Sequence, residues 1–325
     1  MTVPEEIMPG VFRIKVTLPE SPLKYLNSYV FKSDQRSLVV DTGLNRPECR
    51  QALEAGLAEI GVAPAGADYF ITHLHADHFG LVGAMAGPES LVYFNQPDAD
   101  ILNSGLGWES VIEYSARNGF PADTLRPAIE KHPGKHFHSP RIPAMTILAD
   151  GDEIAYGDYR LRALHTPGHT PGHLCLYDPA ARLLVAGDHL LIDITPNIQC
   201  MSDDANPLGD YLASLEKTAA LDVALVAPGH RRLWNDHRAR IDELRAHHAR
   251  RVEEAFEALR GGPLDAFQVA ARMTWDIKCD SWEDFPLAQK WFAQAEALSH
   301  LRYLERRGEI DRLDEGGLTI FEIAA

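Results

Sequence analysis

The sequence predicts an α/β fold followed by a helical C-terminal domain, and three observations carry that prediction. Short apolar strands alternate with helical stretches through residues 1–235, and four of these strands lead into histidine- or aspartate-bearing turns. Those turns are HLHADH at 73–78, TPGHTPGH at 166–173, AGDH at 186–189 and APGH at 227–230. Beyond residue 235 the pattern changes to long, charge-laced helical stretches. The domains expected are therefore 1–235, carrying the chemistry, and 236–325.

Taken in order, residues 10–40 read as strands (VFRIKVTL, NSYVFKS, RSLVVD) separated by Pro, Ser and Asp turns. Residues 47–60 read as a helix with Pro47 in its first turn and Gly61 as its stop. The run 67–72 is a buried strand. The segment 97–143 is longer than an ordinary connection and is expected to be partly helical, with helical spacing over 108–118. Another helix is expected at 211–221. In the C-terminal part, helices are expected at 238–260, 264–273 and 285–307, then a hairpin from Gly308 turning at Glu315-Gly316-Gly317.

His73, His75, Asp77 and His78 put four potential metal ligands into six residues, at the end of a strand. Imidazole nitrogens with a carboxylate suit zinc or a similar borderline metal, whereas calcium and magnesium prefer oxygen shells. A lone histidine here would read as a solvated turn residue; three with an aspartate do not. His169, Asp188 and His230 follow three further strands. His173 and His189 flank ligand positions and are candidates for supporting groups, with a plain structural role as the alternative. His165 is read as structural, and His132, His136 and His138 as solvated histidines of a polar loop. Trp275, Trp282 and Trp291 are read as core or interface residues.

With these residues in this order, the sequence resembles the metallo-β-lactamase superfamily over about residues 10–235. The resemblance rests on Asp41-Thr42-Gly43 after the strand 37–40, on HLHADH, and on His169, Asp188 and His230. It implies an αββα sandwich with the metal site at one edge. It also implies that His73, His75 and His169 hold one divalent metal ion, that Asp77, His78 and His230 hold another, and that Asp188 bridges them. Asp41 would support a ligand rather than bind metal. Zinc is the expected metal, with iron or manganese as alternatives. The second histidine of the motif is His75, where the flavodiiron branch has glutamate, which disfavours a redox role. The C-terminal pattern resembles the winged-helix module carried by some β-lactamase-like hydrolases, mitochondrial endoribonucleases among them.

Such a ligand set implies metal-assisted hydrolysis by a hydroxide bridging the two ions, with Asp77 orienting it or shuttling its proton. A small-molecule thioester of CoA or glutathione type is the leading substrate class, followed by lactones and esters. The alternative is a nuclease that holds nucleic acid through the C-terminal domain. A net charge of −16 and the absence of Lys or Arg from residues 293–299 weigh against that alternative. Cys49, Cys175, Cys200 and Cys279 form no CxxC pair and are expected to be buried thiols of a reducing compartment. The first residues contain no apolar export segment, and no run approaches the length of a membrane helix, so a cytoplasmic protein is expected. Homodimer contacts through the C-terminal domain or the 97–143 segment complete the expectations.

Overall fold

The computed structural model describes residues 3–104, 107–130 and 132–325. In chain order, the first strands are β1 (Glu5–Met8), β2 (Val11–Thr17), β3 (Tyr25–Phe31) and β4 (Leu38–Val40), followed by helix α1 (Pro47–Glu59) and β5 (Asp68–Phe70). The short helices α2 (Ala76–Phe79) and α3 (Val82–Met85), β6 (Val92–Phe94) and α4 (Gln96–Asn103) come next. The 97–143 segment then contributes α5 (Trp108–Arg117), α6 (Ala122–Ile129) and α7 (Pro133–His136), leading to β7 (Thr146–Ile147). It is mostly helical; its residues 105, 106 and 131 lie outside the described residues.

Strands β1 to β7 form one sheet in sequential order, antiparallel through β4 and parallel from β4 to β7. A second sheet contains β8 (Glu153–Tyr156), β9 (Tyr159–His165), β10 (Leu174–Asp178), β11 (Leu183–Gly187) and β12 (Leu225–Pro228). Only its β11–β12 pair is parallel.

Alternation along the strands makes this a sandwich. In β4, Leu38 and Val40 join Leu161, Leu174, Leu176 and Val185 in the core between the sheets, while Val39 points to the opposite face. There it meets Leu53 and Leu57 of α1, which with Cys49 form the buried stripe of that helix. Gly61 follows α1 at φ +72°, the left-handed position expected of its stop. Truncating a core residue such as Leu53 would cost about 2–5 kcal/mol.

The remaining elements are α8 (Pro207–Ala219), α9 (His237–Ala258), α10 (Ala266–Ala270), α11 (Leu287–Arg306), β13 (Ile310–Glu315) and β14 (Leu318–Ile323). The hairpin β13–β14 turns at Gly316-Gly317, both with positive φ. The helix, helix, helix, hairpin order read from residues 236–325 is present.

The contacts do not divide the chain at a single point near 235, as the sequence suggested. One compact unit comprises Met1–Ser104, Pro133–Pro196 and Lys217–Arg240; the other comprises Gly105–His132, Asn197–Glu216 and Ile241–Ala325. The reason is visible in the core of the second unit. Trp291 of α11 packs among Ile112, Phe120, Leu125 and Ile129, and its Nε1 donates to Ser115 Oγ at 3.1 Å. Gln294 Nε2 donates to the carbonyls of Ser115 and Asn118, both at 2.9 Å, tying the end of α5 to α11. His132 is half-buried against Trp108, Trp291 and Phe292 rather than solvated, whereas His136 and His138 are exposed. Cys49, Cys175 and Cys200 are buried free thiols as expected; Cys279 is exposed.

Candidate metal centre

Each motif histidine or aspartate leaves the end of a strand of the first unit. After β5 the chain turns into α2, which begins at Ala76 and so projects Asp77 and His78 from its first turn. His169 lies in the loop between β9 and β10, Asp188 follows β11, and His230 follows β12. The loop carrying His230 is held from the first sheet. Asn27 Nδ2 donates to the carbonyls of Pro228 and Arg231, both at 3.0 Å, and Tyr29 Oη donates to Pro228 at 2.8 Å. A side chain at Gly229 would meet Asp188 Oδ1 at 2.5 Å, so only glycine lets this loop approach so closely.

Two triads result. His73 Nε2 and His169 Nε2 lie 2.9 and 3.0 Å from His75 Nδ1. His78, His230 and Asp77 form the second group, with His230 Nε2 3.3 Å from Asp77 Oδ2. Asp188 stands between them: its Oδ1 is 3.6 Å from His78 Nε2, and its Oδ2 is 3.6 Å from His230 Nε2 and 3.7 Å from His169 Nε2. All seven residues picked from the sequence are brought together.

The opposite ring nitrogens of His73, His78 and His230 are committed elsewhere, which fixes what these rings turn to the centre. His230 Nδ1 donates to the carbonyl of Tyr25 at 3.0 Å. His78 Nδ1 lies 2.7 Å from Asp41 Oδ2, so Asp41 holds the orientation of the His78 ring. Asp41 adopts φ +59°, which a short polar side chain tolerates, and also accepts from the Thr72 amide at 2.8 Å and the Thr72 hydroxyl at 2.9 Å. That hydroxyl is 2.9 Å from His73 Nδ1, so one carboxylate orients His73 through Thr72 and His78 directly. Sequence reasoning missed Thr72, an ordinary strand residue by composition. It left His173 open: its Nε2 accepts the Asp188 amide at 3.1 Å, and its Nδ1 lies 2.9 Å from Thr166 Oγ1. His189 Nε2 lies 2.9 Å from Thr218 Oγ1, and His189 belongs to neither triad. His165 Nε2 lies 2.8 Å from the carbonyl of Pro171, consistent with a structural role.

Electrostatics separate the triads. Burial and the neighbouring His169 push His75 down to about 3, and burial with the crowded imidazoles pushes His73 well below its ordinary value. In the first triad, His73 and His75 thus offer neutral nitrogens. In the second, burial opposes charge on His78 and His230, but Asp41, Asp188 and Asp77 raise His78 and Asp188 and Asp77 raise His230. Burial works against ionisation of Asp77 and Asp188 as well, and the adjacent imidazoles outweigh it, holding both carboxyls below the usual range.

A fit to divalent metal follows from atoms left without partners. His78 Nε2, His230 Nε2 and Asp188 Oδ1 are buried and make no hydrogen bond. Buried polar atoms are rarely orphaned unless something is meant to meet them. Nitrogen and carboxylate donors turned to a common space suit a borderline divalent cation. His75, Asp77 and His169 are only half-buried, so the centre can be reached from their side.

Comparison with known proteins agrees. The family model described as "Metallo-beta-lactamase superfamily" matches residues 23–230. The chain is 29% identical over 232 residues to "Acyl-coenzyme A thioesterase MBLAC2" of Gallus gallus, covering 68% of this chain and 77% of that protein. It is 26% identical over 307 residues to "Probable metallo-hydrolase YqjP" of Bacillus subtilis (strain 168), covering 90% of this chain and 92% of that one. A crystal structure of a metallo-beta-lactamase family protein from Thermus thermophilus superposes with a TM-score of 0.82 at 30% identity, covering 98% of this chain and 100% of its own.

Proposed function

The chain belongs to the metallo-beta-lactamase superfamily and is a hydrolytic enzyme, and on that premise we propose that it is a dinuclear metallohydrolase of small thioesters. The observation that carries this reading is the pair of triads meeting at Asp188, with unpartnered buried atoms facing the space between. His73, His75 and His169 would hold one ion, Asp77, His78 and His230 the other, and Asp188 would bridge them. Zinc is the metal proposed, with iron and manganese as alternatives. Two such ions would supply a shared water acidic enough to act as hydroxide near neutral pH and an electrophile for the substrate carbonyl.

The chain's own residues do the rest. Asp77 is the ligand carboxylate nearest solvent, with 22% of its side chain exposed. Held ionised by His78 and His230 against the opposing effect of burial, it can accept a hydrogen bond from the attacking water and orient it. Asp41 and the Tyr25 carbonyl keep His78 and His230 in the tautomers that present Nε2. Thioesters lead the substrate classes because a relative covering two thirds of the chain bears an acyl-coenzyme A thioesterase name; lactones and esters follow. The 236–325 segment belongs to the same proposal as a winged-helix-like module, supported by its three helices and hairpin. Its surplus of acidic side chains argues against holding nucleic acid.

Metal analysis of the purified protein, paired with a panel of CoA and glutathione thioesters, lactones and nitrophenyl esters, tests this. Two equivalents of metal and preferred turnover of a thioester are expected. Full activity after exhaustive chelation would overturn the metal reading, and indifference to every thioester would overturn the substrate class.

A further inference from the structure

Asp98 has no place in either triad, yet it is fully buried and its two oxygens are spent on the loops that carry the first one. Asp98 Oδ2 accepts from the Leu74 amide at 2.9 Å and from the Thr170 hydroxyl at 2.8 Å; Oδ1 accepts from the Gly172 amide at 2.8 Å. Leu74 lies between His73 and His75, and Thr170 follows His169. The aspartate sits in the first turn of α4, where an acid often serves only the helix end. Here that duty falls to Asn95, whose Oδ1 caps α4 by accepting from the Asp98 amide at 2.8 Å. A side chain at Gly172 would lie 1.5 Å from Asn95 Oδ1 and 2.7 Å from Asp98 N, so the His169 loop reaches the start of α4 only because residue 172 is glycine.

From this geometry we infer that Asp98 is a positioning residue that clamps the His73–His75 turn to the His169 loop and thereby assembles the first triad. The inference rests on the metal-binding function proposed above. It is specific to one triad. His78 is held by Asp41 and His230 by the Tyr25 carbonyl, and neither contact involves Asp98. Replacing the carboxylate by an amide turns an NH2 group toward a backbone or hydroxyl donor and leaves that donor unpaired.

The test reads each ion separately. Cobalt(II) is titrated, in competition with a chelator, into metal-free protein carrying His230→Ala, which disables the second triad, or His169→Ala, which disables the first. Asp98→Asn is then added to each. In the His230→Ala background it should weaken the remaining ion about 10–100-fold, the range typical of lost ligand support. In the His169→Ala background affinity should be unchanged. Thr170→Val should weaken the same ion by a smaller factor, and it carries the test if Asp98→Asn fails to fold. Equal weakening in both backgrounds would reduce Asp98 to a general structural residue, and no weakening in either would end the clamp outright. A wild-type protein that takes up no metal would instead sink the function proposed above, an outcome distinct from wild-type uptake with indifferent variants.

Discussion

His248 and His300 in the second unit are as deeply buried as His73 and His78 in the first, but the two pairs live in different company. His248 Nδ1 lies 3.4 Å from His300 Nε2, and His300 Nδ1 donates to the Glu296 carbonyl one helical turn earlier at 2.7 Å. Burial pushes His300 down to about 3 and His248 well below its ordinary value. Both are neutral side chains packed between helices α9 and α11. Burial does the same to His73, but there the rings of His73, His78 and His230 are oriented through their far nitrogens, the near nitrogens converge, and carboxylates stand among them. Among the described residues, the groups able to surround a cation all lie in the first unit. Burial makes an imidazole neutral; convergence of strand ends with carboxylates gives a cluster able to surround a cation.

That contrast can be broken most decisively at Asp77. Asp77→Asn should keep the fold, read by far-UV circular dichroism, and lower kcat by about 100-fold or more, since a positioned proton acceptor contributes roughly that much. Near-normal kcat would remove Asp77 from the chemistry. His300→Gln offers the matching experiment in the second unit: metal content should stay at the wild-type value, and a loss of metal would erase the distinction between the two clusters.

A smaller effect is expected at Asp41. Asp41→Ala frees the Nδ1 side of His78 and the Thr72 hydroxyl, so metal affinity should fall about 10–100-fold with folding retained. Unchanged affinity would mean that Asp41 serves only its own turn.

A change in stability with pH sharpens the second unit. His300 is neutral in the fold with a value near 3 against 6.5 when unfolded, so the unfolded chain takes up the proton first. Its contribution is complete above about pH 6.5 and is lost as pH falls, the loss reaching about 2 kcal/mol at pH 5. Denaturant unfolding of wild type and His300→Gln at pH 7 and pH 5 checks this: the variant should lose less stability over that interval. Parallel losses would place the acid sensitivity elsewhere.

The α/β class, the helix and strand order of the C-terminal part and the seven residues that converge as two triads bridged by Asp188 were legible in the sequence. Each of these is written locally: an apolar run with period two or a helical stripe sets an element, and a Gly or Pro turn with a histidine or aspartate marks its end. Tertiary structure alone decided the supports. Thr72 and Asp98 show only as a strand residue and a helix-start acid, and their partners lie up to 74 residues away in the Asp98–Gly172 bond. It also decided that α5 and α6 pack with Trp291 of α11 and that Cys200 joins the core of the C-terminal helices. Such contacts join side chains distant along the chain by shape and hydrogen bonding, and neither leaves a periodicity for the sequence to show.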